Sequence, residues 1–246
     1  MKIGIFGDSF ADPGNEIRRT ASYSWFNVFA KNLNEPCNID FHGMGASSLF
    51  YSYQKFLKYY SNYDLIIFCV TGAGRYPKSL TLSDGHLRHY CSLGAVDNAY
   101  KLLGKNITND DQRILKDLQG YFIMTVDEYN QTASDLMINH MNSLHKNILF
   151  YPNFPDSYTK QRFDIEQIPE KYLLFEMYKK QLKLMNIDIH TDKEEKNTIV
   201  GHLVHEYNEF FGNLLYKKYI TGTWDFSGYD DIKTIQMPNE YYYNFK

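Results

Sequence analysis

Lys2-Ile3-Gly4-Ile5-Phe6-Gly7-Asp8-Ser9 is the stretch from which the fold is read. Its first five residues form a short apolar run, and Gly7-Asp8-Ser9 stops that run with turn-forming side chains. Downstream, Ser22 to Leu33 carries Trp25, Phe26, Val28, Phe29 and Leu33 at near-helical spacing before Asn34 and Pro36 close it. Asn38 to Phe41 reads as a second strand, His42 to Ser48 as a small-residue turn, and Leu49 to Tyr60 as a second helix. Asp64 to Val70 is a continuous apolar run between Tyr63 and Thr71-Gly72, the pattern of a strand buried on both faces. Asn147 to Tyr151, stopped by Pro152, reads as a fourth strand. Strands alternating with helices predict a mostly parallel sheet covered on both sides, with ligands at the carboxyl ends of the strands.

The segment between the third and fourth strands is longer than a crossover helix requires, so Tyr76 to Lys146 is expected to be an insertion. Gly72, Gly74, Pro77, Gly85 and Gly94 predict loop at its start, and Asp110 to Leu118 and Asp127 to Leu144 predict helices. Lys171 to Met185 and His202 to Tyr219 read as the last long helices. On the first of these, Leu173, Leu174, Met177, Tyr178 and Leu182 form an apolar stripe suited to the core. A chain of 246 residues suits one large domain over 1–222, with the aromatic stretch 223–246 as a strap or a contact arm for a protein partner.

Composition excludes several classes. With 43% hydrophobic and 22% charged residues the chain is neither disordered nor collagenous. Lys and Arg number 26 against 29 Asp and Glu, so the net charge of −3 supplies no field for nucleic acid. Met1 to Phe6 is too short for a signal peptide and no apolar run is long enough to span a membrane, which predicts a soluble, cytoplasmic protein. Cys37, Cys69 and Cys91 lack CxxC spacing and predict neither a disulfide framework nor a zinc ribbon. Tyr and Phe number 22 and 17, and tyrosine also suits flat ligands such as sugars.

Three places carry side chains suited to chemistry. Gly7-Asp8-Ser9 sits where a parallel sheet presents catalytic groups, although the same triplet serves a plain turn in which Asp8 bonds locally and Ser9 caps a helix. Gly43-Met44-Gly45-Ala46-Ser47-Ser48 follows the second strand, and its small residues let backbone amides approach a ligand; its serines equally suit helix caps. His202 stands at the start of the last long helix and is of the type that takes a serine hydroxyl proton during attack and returns it to the leaving group. A metal reading joins His86 and His89 with His202, His205 and Glu206, but nothing in the sequence brings the two pairs together, so no metal is expected.

These residues together resemble the SGNH, or GDSL, hydrolase superfamily of serine esterases, lipases and carbohydrate deacetylases. The resemblance covers about Met1 to Tyr219 and implies a flavodoxin-like three-layer α/β/α fold and no cofactor. Gly7-Asp8-Ser9 matches the first family block and makes Ser9 the nucleophile and a backbone oxyanion donor; Gly45 matches the glycine of the second block, a further donor. The third block, Gly-x-Asn-Asp, is replaced by Thr71-Gly72-Ala73-Gly74-Arg75, leaving Thr71 or Arg75 as a substitute for its side-chain amide. His202 fits the histidine of the last block, but Ile199 stands where that block has its aspartate. The resemblance implies hydrolysis of a small-molecule or glycan ester, with Asp8, Arg75, His86 and His89 at the substrate. The competing expectation is a binding or assembly protein that keeps the fold without efficient chemistry.

Overall fold

In a computed structural model, residues 1–14, 16–45, 47–72, 78–85, 87–90, 93–124, 127–154, 168–185 and 203–235 are described. Four strands, β1 (Lys2–Phe6), β2 (Asn38–Phe41), β3 (Leu65–Val70) and β6 (Ile148–Pro152), form an all-parallel sheet in the order β2-β1-β3-β6. Ile3 pairs with Ile39 on one side and Leu65 on the other, and Phe68 pairs with Phe150. The chain leaves β1 toward β2 on one side and returns through β3 on the other, so a switch point lies between the carboxyl ends of β1 and β3.

Alternation along β3 builds both sides of the core. Leu65, Ile67 and Cys69 join an apolar cluster with α2 (Trp25–Leu33), α7 (Leu174–Leu184) and α8 (His205–Thr221). Ile66, Phe68 and Val70 join a second cluster with α3 (Leu49–Tyr59) and α6 (Asp127–Leu144). The result is the expected helix, sheet, helix layering of an α/β fold, and it explains why β3 reads as an unbroken apolar run: every residue in it is buried. On the second face Gly4 lies under the Tyr63 ring, where an added Cβ would stand 2.5 Å from Tyr63 Cδ2.

Several boundaries differ from the expected ones. A short α1 (Glu16–Thr20) precedes α2, which begins at Trp25 rather than Ser22 because Ser24 is its extended N-cap. The stripe from Leu173 to Leu182 is core as expected, but Leu173 is the N-cap of α7, preceded by a 3-10 turn over Glu170–Tyr172. The last helix begins at His205, not His202, since Val204 is extended.

Gly74 and Pro77 lie outside the described residues, and Gly72 and Gly85 fall outside helix and strand as expected. The described residues after β3 also hold regular structure: an antiparallel hairpin, β4 (Lys78–Thr81) and β5 (Leu87–Tyr90), then α4 (Leu93–Leu103), in which Gly94 lies, and α5 (Asn109–Met124). Gly85 turns the hairpin at φ +77°, so the glycine read as a loop marker is a tight-turn residue. Val96, Ala99 and Leu103 bury one face of α4 against Leu115 and Leu118, and with Leu82 they form a third, separate cluster. At the other end, Trp224 meets Tyr151 at 5.3 Å, Phe226 stacks on Tyr172 at 3.9 Å, and the Tyr229 hydroxyl donates to the Lys171 carbonyl at 2.8 Å. Among the described residues no helix is long and apolar enough to cross a membrane.

Candidate active site

Gly7 ends β1 at φ +145°, and a Cβ there would lie 2.6 Å from the Cys69 carbonyl oxygen, so only glycine lets the chain turn this close to β3. Asp8 follows, fully buried, and Ser9 is half-buried beside it. Asp8 Oδ1 accepts the Phe10 amide at 3.1 Å and the Asn153 Nδ2 at 2.7 Å, and the Asp8 carbonyl accepts the Ala11 amide at 3.0 Å. Asn153, which follows β6, is itself buried, and its backbone amide donates to the Val70 carbonyl at 2.8 Å. A carboxylate taken out of water is stable only where donors converge on it, and these amides supply part of that set. Asp8 therefore makes the local bond a plain turn requires and also a contact 145 residues away in sequence.

The loop after β2 is tied to the same place. The Gly7 carbonyl accepts the Met44 amide at 3.2 Å and the Ser47 hydroxyl at 3.3 Å, so the two loops share one acceptor. Ser48 caps α3, its hydroxyl accepting the Tyr51 amide at 3.2 Å. Gly45 is exposed, and its amide donates to Asp12 Oδ2 at 3.3 Å, while Asp12 Oδ1 accepts the Gly14 amide at 2.8 Å. The amide expected to face a developing oxyanion thus faces a carboxylate oxygen.

Thr71, immediately after β3, is fully buried, and its Oγ1 has no hydrogen-bond partner among the described residues; the same holds for Asn153 Oδ1. The Val70–Pro152 register places these two residues at the ends of neighbouring strands. Burial, and then the nearby Asp8 charge, push the Cys69 thiol well above its ordinary range, so it stays a protonated core group.

Arg75, His86 and His202 lie outside the described residues, and of His89 only the backbone, in β5, is described. Ser9, Asp8, Gly45 and Thr71 are thus the site residues given a position, all on loops at the carboxyl ends of β1, β2 and β3. His205 stacks on Tyr23 at 5.1 Å and lies 3.8 Å from Glu209. Among the described residues no group of three or more His, Cys, Asp or Glu is placed to hold a metal ion.

Three polar residues of this region carry no motif in the sequence, Asn153, Trp25 and Gln181, and a fourth, Asn208, stands on the helix that follows His202 in sequence. Trp25 Nε1 donates to the Phe10 carbonyl at 3.2 Å. Gln181, buried on α7, accepts the Val204 amide on its Oε1 at 2.9 Å. Asn208, buried on α8, accepts the Trp25 amide on Oδ1 at 3.0 Å and donates from Nδ2 to the Leu203 carbonyl and, at 3.1 Å, to the Val204 carbonyl. The available signal was position: an amide directly after a predicted strand, and amides within stretches predicted as core helices.

No family model matches the chain. No curated protein matches it either. Among solved structures, one described as a lipolytic protein of the G-D-S-L family from Desulfitobacterium hafniense DCB-2 is similar at 12% identity, covering 88% of this chain and 98% of that one. Its TM-score of 0.38 marks a remote likeness in chain path.

Proposed function

We propose that this chain is a serine ester hydrolase in which Ser9 is the nucleophile and His202 the general base. The observation that carries the reading is the construction of the Ser9 loop. A half-buried serine follows a buried carboxylate that accepts a side-chain amide and a backbone amide, at the switch point where parallel sheets bind ligands. Such a loop is rigid enough to hold an attacking oxygen in place.

Ser9 Oγ would attack the ester carbonyl carbon while His202 takes the hydroxyl proton. The carbonyl π pair moves onto oxygen, giving a tetrahedral oxyanion held by the Ser9 and Gly45 amides and the Thr71 hydroxyl. Collapse expels the alcohol, which receives the proton from His202, and leaves Ser9 acylated. Water then adds to the acyl carbon, again with His202 as base, and releases the carboxylic acid and free Ser9. The buried Thr71 hydroxyl, without a hydrogen-bond partner among the described residues, supports its part as a donor. Acylated carbohydrate or lipid esters are the substrate class, with Arg75 and, from the segment 76–146, His86 and His89 at the leaving group or acyl chain.

Fluorophosphonate labelling of the wild type, Ser9→Ala and His202→Ala tests the reading. Labelling of the wild type that is lost in both folded variants is expected. A folded wild type that takes no label overturns the assignment and favours the fold acting as a binding or assembly protein, a reading suggested by the Asp12 carboxylate already occupying the Gly45 amide.

A further inference from the structure

We infer that Asn208 is a positioning residue that sets the segment next to His202 against the loop bearing Ser9; the inference rests on the hydrolase reading. Its side chain is buried and joins two parts of the chain. Nδ2 donates to the Leu203 carbonyl and, at 3.1 Å, to the Val204 carbonyl, the two residues that directly follow His202. Oδ1 accepts the Trp25 backbone amide at 3.0 Å. The amide orientation is fixed by chemistry, since carbonyls require the NH2 end and a backbone N–H requires the oxygen.

From Trp25 the connection continues to the nucleophile loop. The indole Nε1 donates to the Phe10 carbonyl at 3.2 Å, the Phe10 amide donates to Asp8 Oδ1 at 3.1 Å, and Asn153 Nδ2 meets the same oxygen at 2.7 Å. Every bond in this series is buried. Gln181 holds the other end, its Oε1 accepting the Val204 amide at 2.9 Å.

A helix cap would satisfy one element. Asn208 instead ties the entry to α8 to the first turn of α2, where Ser24 provides no side-chain cap. A buried amide incurs its full desolvation cost if a partner withdraws, so the series resists displacement of either end. Leu203 is the described residue next in chain to His202, so the series anchors the segment that a base at position 202 would belong to. An anchored neighbour is what a Ser-His pair needs where the aspartate three residues before the histidine is replaced by Ile199.

The test uses Asn208→Ala, Asn208→Asp and Trp25→Phe, the last keeping a ring in the core while deleting the indole N–H. Three readouts are followed: the rate of Ser9 phosphonylation by a fluorophosphonate, the kcat and KM for an aryl ester, and the indole N–H resonance of Trp25. The indole of Trp224, the second of two tryptophans, is the internal reference. Both Asn208 variants should label about a hundredfold slower than wild type and Trp25→Phe about tenfold slower, the scale of a nucleophile misplaced by about an ångström. kcat should fall while KM holds, and in the Asn208 variants the Trp25 indole should shift while Trp224 stays. Folded Asn208 variants that label at the wild-type rate with an unmoved Trp25 indole overturn the inference and leave the hydrolase reading standing. If neither Asn208 variant folds, Trp25→Phe decides, and wild-type labelling in it overturns the inference. If the wild type itself takes no label, the hydrolase reading fails; a Trp25 indole moved in the Asn208 variants then still supports the coupling of the two segments, and an unmoved one overturns it.

Discussion

Asp12 holds the amide that the proposed chemistry needs. A hydrogen bond to a charged group is worth about 1.5–3 kcal/mol net, and an incoming oxyanion must compete with it for Gly45. Asp12→Ala should therefore raise the rate of Ser9 phosphonylation, by about tenfold if the lower end of that range applies; a slower rate would mean that Asp12 assists the reaction. Asn153 offers a second test. Its Nδ2 lies 2.7 Å from Asp8 Oδ1, so Asn153→Asp would set two carboxylates against each other in the core. Like charges at that distance cannot both ionise cheaply, and one proton shared between them relieves the conflict. The variant should lose far more stability to urea at pH 7 than at pH 4, and equal losses at both would refute the argument. At this scale Ser9 and Gly45 were legible because a motif marks them. The contacts of Asn153 and Asn208 were not, because their partners lie 145 and 183 residues away and no local pattern encodes such a meeting.

Elements whose pattern is strong locally were legible. β1, β2, β3 and β6 appear within a residue or two of their expected bounds because an apolar run ending in Gly, Pro or polar residues has one stable reading in a parallel sheet. The hairpin β4–β5 and helix α4 were hidden because their glycines and polar residues suggested loop. The Asp84-Gly85 turn and the Val96, Ala99, Leu103 spacing were the overlooked signals. Asp111 fastens this region. It closes a capping box with Thr108, the Thr108 hydroxyl accepting the Asp111 amide at 3.1 Å and the carboxylate accepting the Thr108 amide at 3.0 Å. The same carboxylate accepts the Ser83 hydroxyl and, at 2.9 Å, the Ser83 amide. The Ser83 hydroxyl first, then the Ser83 and Thr108 amides, hold the Asp111 carboxyl well below the usual carboxylate range. The stabilisation is complete above the unfolded pKa of about 3.9 and is lost as pH falls through the lower folded value. Thermal melts should accordingly show wild type and Asp111→Asn converging in stability as pH drops from 6 toward 2; a gap that stays constant would remove ionised Asp111 as the cause.

Among the described residues, two apolar clusters sandwich the sheet and a third sits in the chain between β3 and β6. Regions with separate cores open separately, each with its own free energy. Amides of β1 and β3 should exchange with solvent only through global unfolding, whereas those of α4 and α5 should exchange through a smaller opening. Leu115→Ala, at a fully buried position of the third cluster, should accelerate exchange in α4 and α5 and leave β3 unchanged. Uniform acceleration throughout would show one cooperative unit.

The ring of Tyr63 over Gly4 restricts the order in which this sequence can diverge. A methyl group at position 4 would lie 2.5 Å from the ring, while the Tyr63 hydroxyl also donates to Asp40 at 3.2 Å and bonds His42. Gly4→Ala should be badly destabilising alone and much milder on a background of Tyr63→Leu, a coupling that a double-mutant cycle measures. A lineage carrying this fold can therefore acquire a side chain at position 4 only after surrendering the tyrosine, so that history, and not the residue alone, decides which substitutions are open to it.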